Sequence, residues 1–256
     1  MPSTVKPGTV PLFGLDVRQD IMADALAAIE AVIRERRTTL HVALNAGKVS
    51  KMASDAGFLA LMRAFDMVHA DGTSIVWASR LLGRPLPERV AGVDLMLQLV
   101  ALAAERGYRP YFLGAKQEVV DTCVLRLVER HPALRPAGAH HGYWKEADPT
   151  EEGPVVDAIR NSGADLLFVA IPTPRKERFL VKHRDQLGVP FAMGVGGAFD
   201  VVAGLVKRAP LAWQRAGMEW AYRLIQEPRK MWKRYLVTNT HFLWITGREL
   251  LTRRRG

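Results

Sequence analysis

Residues 164–184, ADLLFVAIPTPRKERFLVKHR, hold an apolar run from Leu166 to Ile171, a Pro-Thr-Pro turn, and then a charged segment carrying Phe179, Leu180 and Val181. That is strand, loop and helix in succession. The same order recurs in RPYFLGAKQEVVDTCVLRLVER (109–130) and VPFAMGVGGAFDVVAG (189–204), and TLHVALNA (39–46) supplies a further apolar strand. Between Arg18 and Arg36, Met22, Leu26, Ile29 and Ile33 fall at helical spacing, so an amphipathic helix precedes that strand. Alternation of this kind implies an α/β fold, a Rossmann-like, mostly parallel sheet flanked by helices.

Ligands of such sheets gather beyond the carboxyl ends of the strands, which directs attention to five loops. They contain Asn45, Asp71 with Gly72, Gly114 to Lys116, Ile171 to Glu177, and Gly194 to Asp200. In GVGGAFD (194–200) the glycines let a backbone approach a phosphate, and Asp200 could hold a ribose hydroxyl; a plain tight turn explains the same residues. Asp71 is either a general base at a strand end or the first half of an Asp-Gly turn. Arg175, Lys176 and Arg178 sit where a helix begins, which the helix dipole disfavours. An anionic ligand would relieve the conflict, and a solvated basic face is the alternative.

The charge is unevenly placed. Of a formal +10 over 256 residues, residues 205–256 hold twelve Lys or Arg against three Glu, together with four of the six Trp. GMEWAYRLIQEPRKMWKRY (217–235) concentrates the mixture, which suits an anionic lipid surface or a nucleic acid. The chain accordingly divides into an α/β catalytic core, 1–204, and a basic-aromatic helical C-terminal appendage, 205–256, with Pro228 interrupting or restarting a helix. Trp213, Trp220 and Leu224 are expected on one helical face, with Arg215 and Arg223 pointing away.

Cys123 is the single cysteine, which excludes an internal disulfide and a multi-cysteine zinc site and fits a reducing compartment. No apolar run approaches the roughly 18 residues of a spanning helix, and the opening MPSTVKPGTVPLFGLDV lacks the pattern of a signal peptide. Any membrane contact is therefore expected to be peripheral. The seven histidines form no metal-ligand pattern and read as loop or surface residues, and no Asp-x-Asp triplet offers a divalent metal a carboxylate pair.

Seven blocks taken in order resemble the WecG/TagA/CpsF family of glycosyltransferases: TLHVALNAGKV (39–49), ADGTSIVWA (70–78), ERVAGVDL (88–95), YFLGA (111–115), HGYW (141–144), GVGGAFDVVAGLVKRAP (194–210) and GMEWAYRLIQEPRK (217–230). The resemblance implies an inverting, metal-independent transferase without a cofactor. It moves a hexose from a UDP-sugar to a polyprenyl-diphosphate-linked saccharide, at the cytoplasmic face of a bacterial membrane, in surface polysaccharide synthesis. Asp71 matches the proposed base, and Asn45 and Arg89 match residues of the catalytic pocket. Gly196, Gly197 and Asp200 match the block near the nucleotide. Arg208, Arg223 and Arg229 match basic positions brought over the diphosphates from the appendage.

Two positions depart from the family's pattern. Ala43 stands where many members have Thr, and the Pro-Lys-Gln-Glu block appears as Pro174, Arg175, Lys176 and Glu177, still expected at the substrate. The Lys176 change favours UDP-glucose as donor, as in xanthan-type exopolysaccharide assembly. N-acetylmannosamine or its uronic acid is the alternative. Expected partners are thus the donor, the lipid-linked acceptor, an anionic membrane surface and a possible second copy in a homo-oligomer, with no nucleic acid. Charge alone leaves open a nucleic-acid-binding protein, and the changes around Lys176 leave open a non-catalytic scaffold.

Overall fold

The computed structural model describes residues 8–146, 148–226 and 228–253. An antiparallel hairpin comes first, β1 (Thr9–Leu12) and β2 (Leu15–Arg18). Its two-residue turn places both Phe13 and Gly14 at positive φ, the geometry that matches the twist of paired strands. The helix expected from Arg18 therefore starts later, as α1 (Met22–Arg34), with Ile29 and Ile33 buried as its spacing requires.

From there the chain alternates: β3 (Thr39–Leu44), α2 (Ala46–Ser54), α3 (Ala56–Arg63), β4 (Met67–Ala70), α4 (Thr73–Leu81), α5 (Gly92–Arg106), β5 (Pro110–Gly114) and α6 (Gln117–Arg130). It continues through β6 (Gly138–His140), α7 (Pro149–Asn161), β7 (Leu166–Ala170), α8 (Arg175–Lys182), β8 (Phe191–Gly194) and α9 (Ala198–Val202). Strands β3 to β8 form one sheet in the order β4-β3-β8-β7-β5-β6, and every neighbouring pair is parallel.

Successive strand residues face opposite layers. Leu40, Val42, Leu44, Leu113, Leu167 and Val169 pack with residues of α2, α3, α4, α7 and α8, whereas Phe112, Phe168, Phe191 and Met193 pack with α1, α5, α6 and α9. Both faces are covered, which is why the strands read as continuous apolar runs. Each fully buried Phe or Leu removes apolar surface worth about 1.5–3 kcal/mol.

Where β5 meets β7 the backbones nearly touch. Gly114 has φ +134°, and a Cβ there would lie 2.4 Å from the carbonyl oxygen of Ala170. Gly114→Ala is therefore expected to destabilise by about 2–5 kcal/mol, from backbone strain and overpacking together. Urea denaturation would measure it, and a loss under about 1 kcal/mol would show a looser junction.

The appendage comprises α10 (Leu211–Arg215), α11 (Glu219–Gln226) and α12 (Pro228–Arg253). Gly217, at φ +72°, separates the first two, so the single helical face expected for Trp213, Trp220 and Leu224 does not exist. Instead Trp213 packs edge-on against Tyr222, with centroids 5.8 Å apart. Proline is tolerated at the first position of a helix, and α12 begins at Pro228.

The distal half of α12 belongs to the body. Phe242 and Ile245 are buried in the same cluster as Val49 and Met52 of α2, and Ser50 Oγ lies 2.7 Å from His241 Nδ1. Other side chains of the appendage, including Trp220, Trp232, Leu236 and Trp244, are exposed. Among the described residues no helix is long and apolar enough to cross a membrane.

Candidate active site

The carboxyl ends of β3 and β4, the start of α5 and the appendage enclose a cleft of about 770 Å³. Asn45, Asp71, Arg89, Arg208 and Arg223 all line it, so the structure gathers five of the sequence-derived residues from five separate segments. Trp77, Leu81, Trp220, Tyr235 and Leu243 form more apolar parts of the wall.

Asp71 follows the last residue of β4, and two hydrogen bonds fix its loop. Its own N–H donates to Leu44 O at 2.7 Å, and Val90 N–H donates to Ala70 O at 2.9 Å. The backbone N–H of Gly92, at the start of α5, favours the ionised carboxylate. Burial pushes the Asp71 carboxyl up, and Glu219 adds to the rise, while Lys48, Arg89 and the Gly92 N–H oppose it; the net direction is upward. A carboxylate made more basic by its surroundings, at a cleft floor, suits general-base work. The Asp-Gly turn and the functional position coincide, since Gly72 takes φ +135° directly after the acid.

Asn45 caps α2: its side-chain oxygen accepts from Lys48 N–H at 3.1 Å. The amide nitrogen is the remaining donor for a ligand. Next to this turn, a Cβ added to Gly92 would sit 3.7 Å from the Ala43 methyl and 4.0 Å from Asp71 Oδ2. The methyl of Ala43 thus lies close to the acid, where a threonine would bring a hydroxyl.

The cleft cations differ in how they are engaged. Arg208 makes a forked pair with Asp94, at 2.5 and 2.7 Å, and its Nε is 3.6 Å from Glu219 Oε1. Arg89 pairs with the other oxygen of Glu219. Glu219 thereby bridges Arg89 and Arg208 and ties the appendage to the core. It was not singled out from the sequence for the cleft, and its only signal was being the one acid in GMEWAYRL. Arg223 makes no hydrogen bond or ion pair among the described residues, and its Nη2 would be 3.5 Å from a Cβ at Gly197.

The other expected residues lie outside the lining of the cleft. Gly196, at φ +55°, makes the turn that leads from β8 into the short helix α9. Gly197 borders the site through Arg223, and Asp200 lies in the first turn of α9. Arg229 is exposed at the start of α12, and Glu227 is outside the described residues.

Lys176 and Glu177 are buried, 6% and 1% exposed. Lys176 Nζ is 3.1 Å from Glu177 Oε1, and Lys48 Nζ reaches the same oxygen at 3.1 Å. Burial works to raise the Glu177 carboxyl, but the ammonium groups of Lys48 and Lys176 hold it below the usual glutamate range. Arg175 stacks on Trp144 at 4.4 Å and donates to Gly142 O and Trp144 O, and Arg178 pairs with Glu146. Protein groups thus engage these cations, and neither an anionic ligand nor a merely solvated face is needed to account for them.

Three histidines are core residues instead of surface ones: His41, His69 and His183 are at most 7% exposed. His41 Nε2 is 3.0 Å from His69 Nδ1, and His69 Nε2 is 3.0 Å from Asp20 Oδ2, so neighbouring strands share a polar chain. Burial, then the charges of His69, Lys48 and Arg18, hold His41 well below the usual imidazole range. Among the described residues no cluster of three or more His, Cys, Asp or Glu could hold a metal ion.

A carboxylate set among guanidinium groups at the strand ends of an α/β sheet has the chemistry that group transfer with an anionic leaving group requires. The family model described as the glycosyl transferase WecG/TagA/CpsF family matches residues 10–256, and the chain belongs to that family of glycosyltransferases. It is similar to an N-acetylglucosaminyldiphosphoundecaprenol N-acetyl-beta-D-mannosaminyltransferase of Bacillus spizizenii, 37% identical over 69% of this chain and 66% of the relative. Proteins of the same description from Staphylococcus aureus strains MW2 and NCTC 8325 are each 31% identical over 88% of this chain and 86% of theirs.

Proposed function

We propose that the chain transfers an N-acetylmannosamine-type sugar from a UDP-activated donor to a polyprenyl-diphosphate-linked N-acetylglucosamine, with inversion and without a metal. The observation that carries the chemistry is Asp71 in a cleft shared with Arg89, Arg208 and Arg223. The acceptor hydroxyl gives its proton to the Asp71 carboxylate as its oxygen bonds to the anomeric carbon of the donor. The bond from that carbon to the UDP oxygen breaks with its electron pair, and guanidinium groups meet the charge of the departing diphosphate.

The relatives, described as N-acetylmannosaminyltransferases, support this donor. They favour this over the UDP-glucose expected from Lys176. The burial of Lys176 against Glu177 removes the physical basis of that expectation, because the charge is spent inside the protein and not offered to a sugar. Exposed Trp and Leu on α12, within a strongly basic segment, support peripheral attachment to an anionic membrane, on the cytoplasmic side where UDP-sugars are found.

The test is UDP release from UDP-N-acetylmannosamine, its uronic acid and UDP-glucose, with and without a short lipid-diphosphate N-acetylglucosamine acceptor. Acceptor-dependent release from an amino-sugar donor is expected, on the order of 10²-fold above glucose, since a pocket that hydrogen-bonds an acetamido group rejects a sugar lacking it. Preference for glucose would overturn the donor. Release indifferent to acceptor would overturn the transfer.

A further inference from the structure

Lys48 is a buried cation 7% exposed, with no part in the reading above. Its backbone N–H is the group that Asn45 caps. Its ammonium donates to the carbonyl of Ala43 at 2.9 Å and lies 3.1 Å from Glu177 Oε1. One side chain therefore joins the end of β3, the turn holding Asn45, and α8 beyond β8.

Such a buried charge is costly to desolvate and persists where it is paired and well placed. Glu177 supplies the pairing, and Lys176 and the Thr173 hydroxyl bind the same oxygen. The stem of Lys176 lies over Gly194, where an added Cβ would meet it at 2.8 Å, so the cluster is wedged between the ends of β7 and β8. Ala43, whose carbonyl Lys48 holds, packs beside Gly92 and Asp71.

We propose that Lys48 is a positioning residue for transfer: its fixed ammonium braces the Ala43 carbonyl and the Asn45 turn and sets the electrostatic surroundings of the neighbouring Asp71. This rests on Asp71 being the base. The groups facing Asp71 are Lys48 from α2, Arg89 from the loop before α5, the Gly92 N–H of α5 and Glu219 from α11. Of the two cations, Lys48 exerts the stronger pull towards ionisation. Arg89 is itself paired with Glu219.

The experiment is the pH profile of kcat/KM for the full chain, Lys48→Met, Lys48→Arg and Asp71→Asn, with thermal unfolding of each. Lys48→Met leaves Glu177 paired with Lys176, so a folded protein is expected. Its acidic limb should move to higher pH, because a cation that favours the ionised acid is lost. The deficit then grows as pH falls, and Lys48→Arg should restore part of the limb. The same fractional loss at every pH, or no loss, would overturn the role of Lys48 while Asp71→Asn remains inactive. If Asp71→Asn keeps both transfer and its acidic limb, the base is another group and the Asp71 reading itself falls.

Discussion

Asp71→Asn should lower kcat for sugar transfer by about 10²–10⁴-fold, the usual worth of a positioned general base. Asparagine has the same shape, and the backbone bonds that fix the loop do not involve the side chain, so loop geometry is preserved while the proton acceptor is lost. Stability should move the other way. A carboxyl whose folded pKa is raised above its unfolded value binds protons more tightly when folded, so its contribution to stability falls as pH rises through that range. Above it, the partly buried charge of Asp71 destabilises the native state, and the neutral amide removes that cost. The variant should therefore melt no lower than the parent at neutral pH, with a loss of rate alone. Single-turnover rates with saturating acceptor, alongside thermal melts, would show it. A kcat within tenfold of the parent would remove Asp71 from the role of base.

That asymmetry between a destabilising carboxylate and its use is also where the limits of sequence reading lie. The strands β3, β5, β7 and β8 were legible because a strand covered on both faces must be apolar at every position. The hairpin β1–β2 was not, since its pairing depends on a positive-φ turn at Phe13-Gly14 set among prolines and glycines. Three-residue β6 is too short for any periodicity. Within the site, Asn45 and Asp71 were found because loops at strand ends are few, and Arg89, Arg208 and Arg223 through the resemblance. Lys176 and Glu177 were expected at the ligand through the resemblance and, for Lys176, because a cation at a helix start invites an anionic ligand. Their buried cluster also takes in Lys48, 129 positions before Glu177, which no local pattern reveals. His41 and His69 escaped for the same reason, their partners lying on adjacent strands.

Arg223 gives the second large effect, and the engagement of its neighbours explains why. A guanidinium locked to carboxylates has much of its charge offset before any ligand arrives, as Arg208 does with Asp94 and Arg89 with Glu219. Arg223 reaches the cleft from α11 without a carboxylate partner among the described residues, beside the bare backbone of Gly197. A diphosphate entering there gains its charge without displacing an internal ion pair. Arg223→Met should therefore reduce kcat/KM by about 10²-fold, in the range found when one donor to a developing anion is removed. The side chain is exposed, so the melting temperature should barely change. Arg208→Met, in contrast, strands Asp94 and part of Glu219 and should cost both rate and stability. Arg229→Met, exposed at the start of α12 and outside the cleft lining, should leave kcat/KM with a soluble acceptor within about threefold of the parent. Steady-state kinetics on the three variants separate these outcomes. If Arg223→Met were silent and Arg229→Met crippling, the diphosphate would be held at the base of α12, and Gly197 would border no ligand.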